Sequence, residues 1–227
     1  MMPRCCFMKS SETTRSVYIF DLDDTLYKEA DYRASGIREV CSWVEKFYGK
    51  LVETELQSLS RQSDHDFLTA ICRLAGLPIC VKESLLWIYR LHTPDIHLHE
   101  STIKVLKHLE VISKVAILTD GRSVTQRLKL KALELDYLPV YISEEHESQK
   151  PDPLRFETIM RDIPSSRYVY VADNPAKDFV APNSLGWITI GLRDDGRNIH
   201  RQRIEDLPSV YMPSRWIDNI EELIEPV

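Results

Sequence analysis

The sequence predicts an α/β fold: a Rossmann-like parallel sheet with helices on both faces and an inserted α-helical module. Two observations carry that expectation. Short apolar runs rich in β-branched and aromatic residues alternate with segments whose apolar residues recur every three or four positions, which is how strands joined by crossover helices read. The alternation stops between about residues 28 and 98, where the patterns are helical only. A chain of 227 residues can bury a full core in one such domain and still carry a smaller insertion.

The elements follow in order. Residues 1–16, MMPRCCFMKSSETTRS, lack the apolar core of a signal peptide and read as a disordered leader. VYIF at 17–20 reads as a buried strand. Ile37, Val40, Cys41, Val44 and Phe47 then mark one helical stripe; Phe67, Leu68, Ile71 and Leu74 mark a second, with Asp64 the expected N-cap; Val81, Leu85 and Ile88 mark a third. Trp43, Trp87 and Tyr89 fall among these stripes and are expected in the core of the helical module, with one or two of them open to a pocket. HTPDIHLHE at 92–100 is the return linker, its histidines lying at a hinge. VAILTD (115–120), PVYIS (139–143), YVYVAD (168–173) and WITIG (187–191) are the remaining strand runs. Val124, Leu128, Ala132 and Leu135 mark one helix between them; Phe156, Ile159 and Met160 mark another.

Composition excludes some functions. The formal net charge is −6, with 43% hydrophobic and 28% charged residues, so the whole protein has no electrostatic attraction for nucleic acid or an anionic membrane. The basic stretch RLKLK at 127–131 reads as a solvated helix face. No apolar run approaches membrane-spanning length. The 5 cysteines include no CxxC pair, which suggests neither a zinc site nor a disulfide framework and points to a reduced, cytoplasmic protein. His92, His97 and His99 have no partner cysteine or HExxH to make them a metal cluster.

Chemistry concentrates at strand ends. In open parallel sheets ligands bind at the carboxyl ends of the strands, and there the chain places Asp21 and Asp23, then Asp120, then Asp173. Mg2+ prefers hard oxygen ligands, commonly one or two carboxylates with substrate phosphate and water; Asp21 and Asp173 could supply them. The TDG turn at 119–121 offers a hydroxyl and backbone amides that can cradle a phosphate. Lys150, in KPDP just ahead of a helix, can neutralise a nucleophile and a phosphoryl group.

DLDDTLY, ILTDG, QKPDP and VADNPAKD resemble, in this order, the four motifs of the haloacid dehalogenase-like hydrolase superfamily, over residues 17 to about 190. The helical insert resembles that superfamily's helical cap. The resemblance implies a catalytic core of residues 17–27 and 99–227 and a cap of residues 28–98. It implies Asp21 as the nucleophile that forms an aspartyl-phosphate. Asp23 would protonate the leaving alkoxide and later deprotonate the hydrolytic water. Thr119, with the backbone amides of Asp120 and Gly121, would hold the phosphoryl oxygens, and Lys150 would contact both Asp21 and the phosphate. Mg2+ would be held by Asp21, Asp173 and the backbone carbonyl of Asp23. Asp178 would orient Lys150 or a metal-bound water, and Thr25 would shape the turn after the first strand.

Two residues depart from the commoner pattern. Asp120 stands where asparagine is frequent, so its charge must either point away from a phosphate or be hydrogen-bonded; Ala172 replaces a frequent glycine. Asp24 has no implied chemical role and is surface charge on the blander reading. The expected activity is Mg2+-dependent hydrolysis of a small phosphorylated metabolite, such as a sugar phosphate, a nucleoside monophosphate or a flavin mononucleotide. LRDDGRNIH at 192–200 reads as an arginine-bearing approach to that substrate. The alternatives are a phosphomutase of the same superfamily, which needs the same Asp21 and Asp23 pair, or a non-catalytic phospho-ligand-binding module. A dehalogenase would not need a carboxyl acid/base at position 23.

Overall fold

A computed structural model describes residues 16–60, 66–202, 204–205 and 207–224. The leader up to residue 15 and Asp64 lie outside the described residues. Six strands, β1 (Val17–Phe20), β2 (Lys114–Thr119), β3 (Val140–Ile142), β4 (Tyr168–Ala172), β5 (Ile188–Leu192) and β6 (Arg215–Ile217), form one sheet in the order β3-β2-β1-β4-β5-β6. Every neighbouring pair is parallel. β6 is an edge strand that the sequence reading did not anticipate: three residues, only one of them fully buried, leave too short an apolar run to recognise.

Alternation along each strand sends side chains to opposite faces, and the two cores separate accordingly. Phe20 of β1, Val115 and Ile117 of β2 and Val169 and Val171 of β4 join Val105, Leu109, Leu130 and Leu133 in one apolar cluster. These last come from α5 (Glu100–Ile112), α6 (Ser123–Ala132) and the turn after it. Val17, Ile19, Ala116, Leu118, Tyr168 and Tyr170 join Phe156, Ile159 and Ala181 in the other. Those helical residues belong to α8 (Leu154–Asp162) and α9 (Val180–Ser184); a single turn, α7 (Ser143–His146), follows β3. The sheet is therefore buried on both faces, as parallel sheets require.

Residues after β1 form α1 (Glu29–Tyr48), α2 (Glu53–Ser60), α3 (Phe67–Leu74) and α4 (Lys82–Leu91). They enclose a third cluster, with Val40, Val44, Val52, Leu68, Ile71 and Leu85 at its centre. The N-cap of α3 is Asp66, whose carboxylate accepts from the Thr69 amide. α2 was not expected. Trp43 and Trp87 do not enter this core: they are 40% and 51% exposed, and Trp43 instead stacks on Phe47 at 4.6 Å along the outer face of α1. Helical spacing places such residues near an apolar stripe but does not say on which flank, and a large ring with a polar edge tolerates the rim. Among the described residues no helix is long and apolar enough to cross a membrane.

Candidate active site

β1 lies between β2 and β4, with Phe20 level with Ile117 and Val171. The residues that leave the ends of these three strands therefore meet. Asp21 continues the ladder, its amide donating to the Val171 carbonyl at 2.9 Å. Its carboxylate is buried, and Oδ1 accepts from Lys150 Nζ at 2.8 Å. The same ammonium lies 2.6 Å from Asp178 Oδ1 and donates to Tyr170 Oη at 3.1 Å. Oxygens of Asp21, Asp173 and Asp178 all lie within 4.8 Å of one another, and all three residues are buried. Asp178, at the end of the turn after β4, also accepts from the Asn174 amide at 2.8 Å. Thr25 Oγ1 reaches Asp173 Oδ1 at 3.5 Å, so Thr25 touches the acidic cluster as well as the turn.

This cluster carries more negative than positive charge. Burial raises Asp21 to a pKa of about 6 although Lys150 pulls it down, with Asp178 adding to the rise. Burial, then Asp178 and Asp21, push Asp173 to about 9. Burial would lower Lys150, but Asp178 and Asp21 outweigh it and hold the ammonium charged. Three buried carboxylates around one ammonium are a donor set that a hard divalent cation would complete.

Asp23 faces the other way. Its carboxylate accepts from Lys129 Nζ at 2.7 Å, from Gln126 Nε2 at 2.9 Å and from the Tyr27 hydroxyl. Burial would raise its pKa, but Lys129 and these hydrogen bonds prevail and lower it. Lys129, only 4% exposed, lies 4.3 Å from the Tyr32 ring of α1, a cation–π contact that ties this carboxylate to the helical module. The reading of RLKLK as a solvated face is thus corrected at its centre. The inward stripe of α6 is Gln126, Lys129, Leu130 and Leu133, and Val124 is exposed instead. Polar residues can occupy the inner face here because the first half of the helix covers the site rather than the apolar core. Glu29, at the start of α1, is pushed to about 7 by burial and by Asp23.

The phosphate-loop candidates sit between these two groups. Thr119 is buried, and its hydroxyl accepts from Gln126 Nε2 at 2.6 Å. Gly121 has φ 144, and a Cβ there would meet Gln126 at 3.0 Å. The Gly121 amide is not free as expected: it donates to Ser143 Oγ at 2.9 Å. Asp120 resolves the question its charge raised. It pairs with the buried guanidinium of Arg155 and accepts from the Lys150 amide at 3.3 Å. Lys150, Arg155 and Lys177 outweigh burial and keep it ionised below its ordinary pKa. Arg155 also donates to the carbonyls of Thr119 at 2.9 Å and Tyr141 at 3.3 Å, joining the ends of β2 and β3.

Asp24 is not surface charge. It is buried at φ 57 and accepts from the amides of Glu29 at 2.9 Å and Ile199 at 2.8 Å. The two arginines of LRDDGRNIH are paired elsewhere: Arg193 with Asp218 and Arg197 with Asp31. The segment after β5 brings Asn198 and Gln202, which donate to Asp173 Oδ2 at 3.0 Å and to its carbonyl at 2.6 Å. The linker histidines do not converge. His92 is buried between Ser35 and Tyr89, His97 pairs with Asp95 in solvent, and His99 caps α5.

Comparison with known proteins gives the family and the fold. The family model for haloacid dehalogenase-like hydrolases matches residues 18–191. A curated relative, glyceraldehyde 3-phosphate phosphatase of Methanocaldococcus jannaschii, is 24% identical over 226 residues, covering 92% of this chain and 95% of its own. Among solved structures, the HAD-hydrolase YfnB from Bacillus subtilis bound to magnesium superposes with a TM-score of 0.63 at 18% identity, covering 92% of this chain and 97% of its own. A 2-haloacid dehalogenase from Pseudomonas syringae pv. Tomato DC3000 does so with a TM-score of 0.61 at 20% identity, over 92% and 96%. The two structures share the fold with this chain.

Proposed function

The chain belongs to the haloacid dehalogenase-like hydrolases, and from that premise we propose that it is a Mg2+-dependent phosphomonoesterase acting on a small phosphorylated metabolite. The observation that carries this reading is the buried carboxylate of Asp21, 2.8 Å from Lys150 and grouped with Asp173 and Asp178. The phosphatase name of the curated relative supports the same class. So does a carboxyl group at position 23, which a dehalogenase would not need. Asp21 and Asp173, with the Asp23 carbonyl, would hold Mg2+, and Asp178 would sit beside them. When bound, the ion supplies positive charge against the phosphoryl oxygens and the crowded carboxylates.

Asp21 is the nucleophile: its carboxylate oxygen bonds to phosphorus as the alkoxide leaves, giving an aspartyl-phosphate. Lys150 screens the approach of one anion to another, and Asp178 holds that ammonium in place. Thr119 offers its O–H to the phosphoryl oxygens while its oxygen goes on accepting from the Gln126 amide. Asp23 hands a proton to the leaving alkoxide and later takes one from the attacking water. Its arrangement beside Lys129 is that of the ionised form, the one the water step needs; donation to the alkoxide requires the protonated form and hence a looser contact with Lys129. Residues 28–98 act as the cap that selects the substrate and excludes water.

The test is phosphate release by the purified chain, with and without Mg2+, from an aryl phosphate and from a panel of phosphorylated metabolites that includes glyceraldehyde 3-phosphate. Turnover that needs Mg2+ is expected. No release from any phosphomonoester, or halide release from a 2-haloacid instead, contradicts the reading.

A further inference from the structure

The loop between β5 and Gln202 holds Asp173 from outside the family motifs, at both its backbone and its side chain. Asn198 Nδ2 donates to Asp173 Oδ2 at 3.0 Å, while Asn198 Oδ1 accepts from Lys28 Nζ at 2.8 Å. The amide has one orientation that satisfies both contacts: an ammonium only donates, so the oxygen must face Lys28 and the NH2 must face the carboxylate. Gln202 is fixed in the same way. Its Oε1 accepts from the Asp194 amide at 3.0 Å, leaving Nε2 to donate to the Asp173 carbonyl at 2.6 Å and the Leu192 carbonyl at 2.7 Å. Lys28 also pairs with Asp195 of this loop at 2.9 Å and immediately precedes α1. Arg197 pairs with Asp31 in the first turn of α1 at 2.7 Å, a second tie between the loop and the helical module.

We infer that Asn198 is a positioning residue for the cation-binding carboxylate of Asp173, and that Lys28 sets Asn198 from the base of the helical module. This rests on the reading of Asp21 and Asp173 as Mg2+ ligands. A carboxylate that ligates a metal is oriented by the hydrogen bonds its other oxygen accepts. Asn198 holds Oδ2 while Thr25 reaches Oδ1, so the carboxylate that joins the cluster with Asp21 and Asp178 is fixed in orientation. Because Lys28 turns the amide, the affinity for the ion depends on where the module's first residue stands. A displacement of α1 that pulls Lys28 away frees Asn198 and loosens Asp173.

The test is calorimetric titration of the full chain with Mg2+, which reads binding rather than turnover. Asn198→Leu is expected to weaken Mg2+ binding about ten- to a hundredfold, the usual effect of losing such an orienting partner. Lys28→Met, which keeps every backbone contact of the loop, is expected to weaken it about fivefold, equivalent to one net hydrogen bond. The double variant should bind within about twofold of Asn198→Leu alone, since Lys28 acts through Asn198. Thermal melting identifies a variant that fails to fold, and if Asn198→Leu does so, Lys28→Met decides. Affinities of the folded variants within about twofold of the wild type, well short of the usual loss, overturn the inference while leaving the metal site in place. No Mg2+ binding by the wild type overturns the metal reading and this inference with it.

Discussion

The carboxylates of Asp21 and Asp23 stand two residues apart and occupy opposite electrostatic situations. Around Asp21 three buried carboxylates share one ammonium, and both Asp21 and Asp173 are pushed up in pKa. Around Asp23 a lysine, an amide and a phenol donate to the carboxylate, and its pKa is lowered. The first group is short of positive charge, and the second is not. The chain leaves the strand after Phe20 and turns through Asp24 at φ 57, so Asp23 departs from the strand's alternation and meets Lys129 and Gln126 of α6. On the proposed reading the cation-poor side would hold the metal and the nucleophile, and the hydrogen-bonded side would transfer the proton.

The largest effect should come from the first side. Asp21→Asn keeps the size of the side chain and removes the attacking charge, so turnover should fall by more than about a thousandfold, a small part of the enhancement such chemistry needs. Folding, followed by thermal melting, should survive. On the second side, Asp23→Asn should slow phosphate release by roughly a hundred- to ten-thousandfold, the range for general acid–base help. A steady-state rate within about threefold of wild type, outside that range, would remove Asp23 from the mechanism.

The comparison itself can be broken by a metal experiment. If only the first side lacks a cation, saturating Mg2+ should raise the melting temperature of the wild type. The stabilisation should be about 2.7 kcal/mol at a hundred times the dissociation constant. Asp173→Asn should abolish that shift, and Asp23→Asn should retain it. Equal loss in both variants would mean that the two sides form one electrostatic unit. A smaller effect should follow Gln126→Leu. It leaves Asp23 paired with Lys129 but removes the amide between Asp23 and Thr119, so kcat should fall about tenfold, less than loss of the acid–base group itself.

The first side was legible in the sequence because each of its parts is local. Asp21, Thr119 and Asp173 each end an apolar run, and Lys150 precedes a proline at a helix start, so a short stretch states both the element and the residue's place on it. The second side was only half legible. Asp23 sits in the same motif, but Lys129 and Gln126 are polar residues on an inward helical face that the apolar spacing assigned one step out of phase. The spacing of Gln126, Lys129, Leu130 and Leu133 at three, four and seven positions was the available signal. Arg155 was hidden in the same way, as a charged residue beside Phe156 on a buried helix. It answers the charge of Asp120, and neither partner explains itself alone. Asn198 and Gln202 come from irregular chain after β5, where no period relates sequence to position.

The central claim is that Asp21 forms a covalent bond to phosphorus. Its most direct test is to quench the enzyme in acid during turnover of a phosphomonoester with Mg2+ and determine the masses of its peptides. The peptide spanning β1 should carry one phosphoryl group on Asp21, and the Asp21→Asn protein should carry none. Full phosphate release with the peptide unmodified throughout, or with the phosphoryl group on another residue, would contradict the assignment of Asp21 as nucleophile.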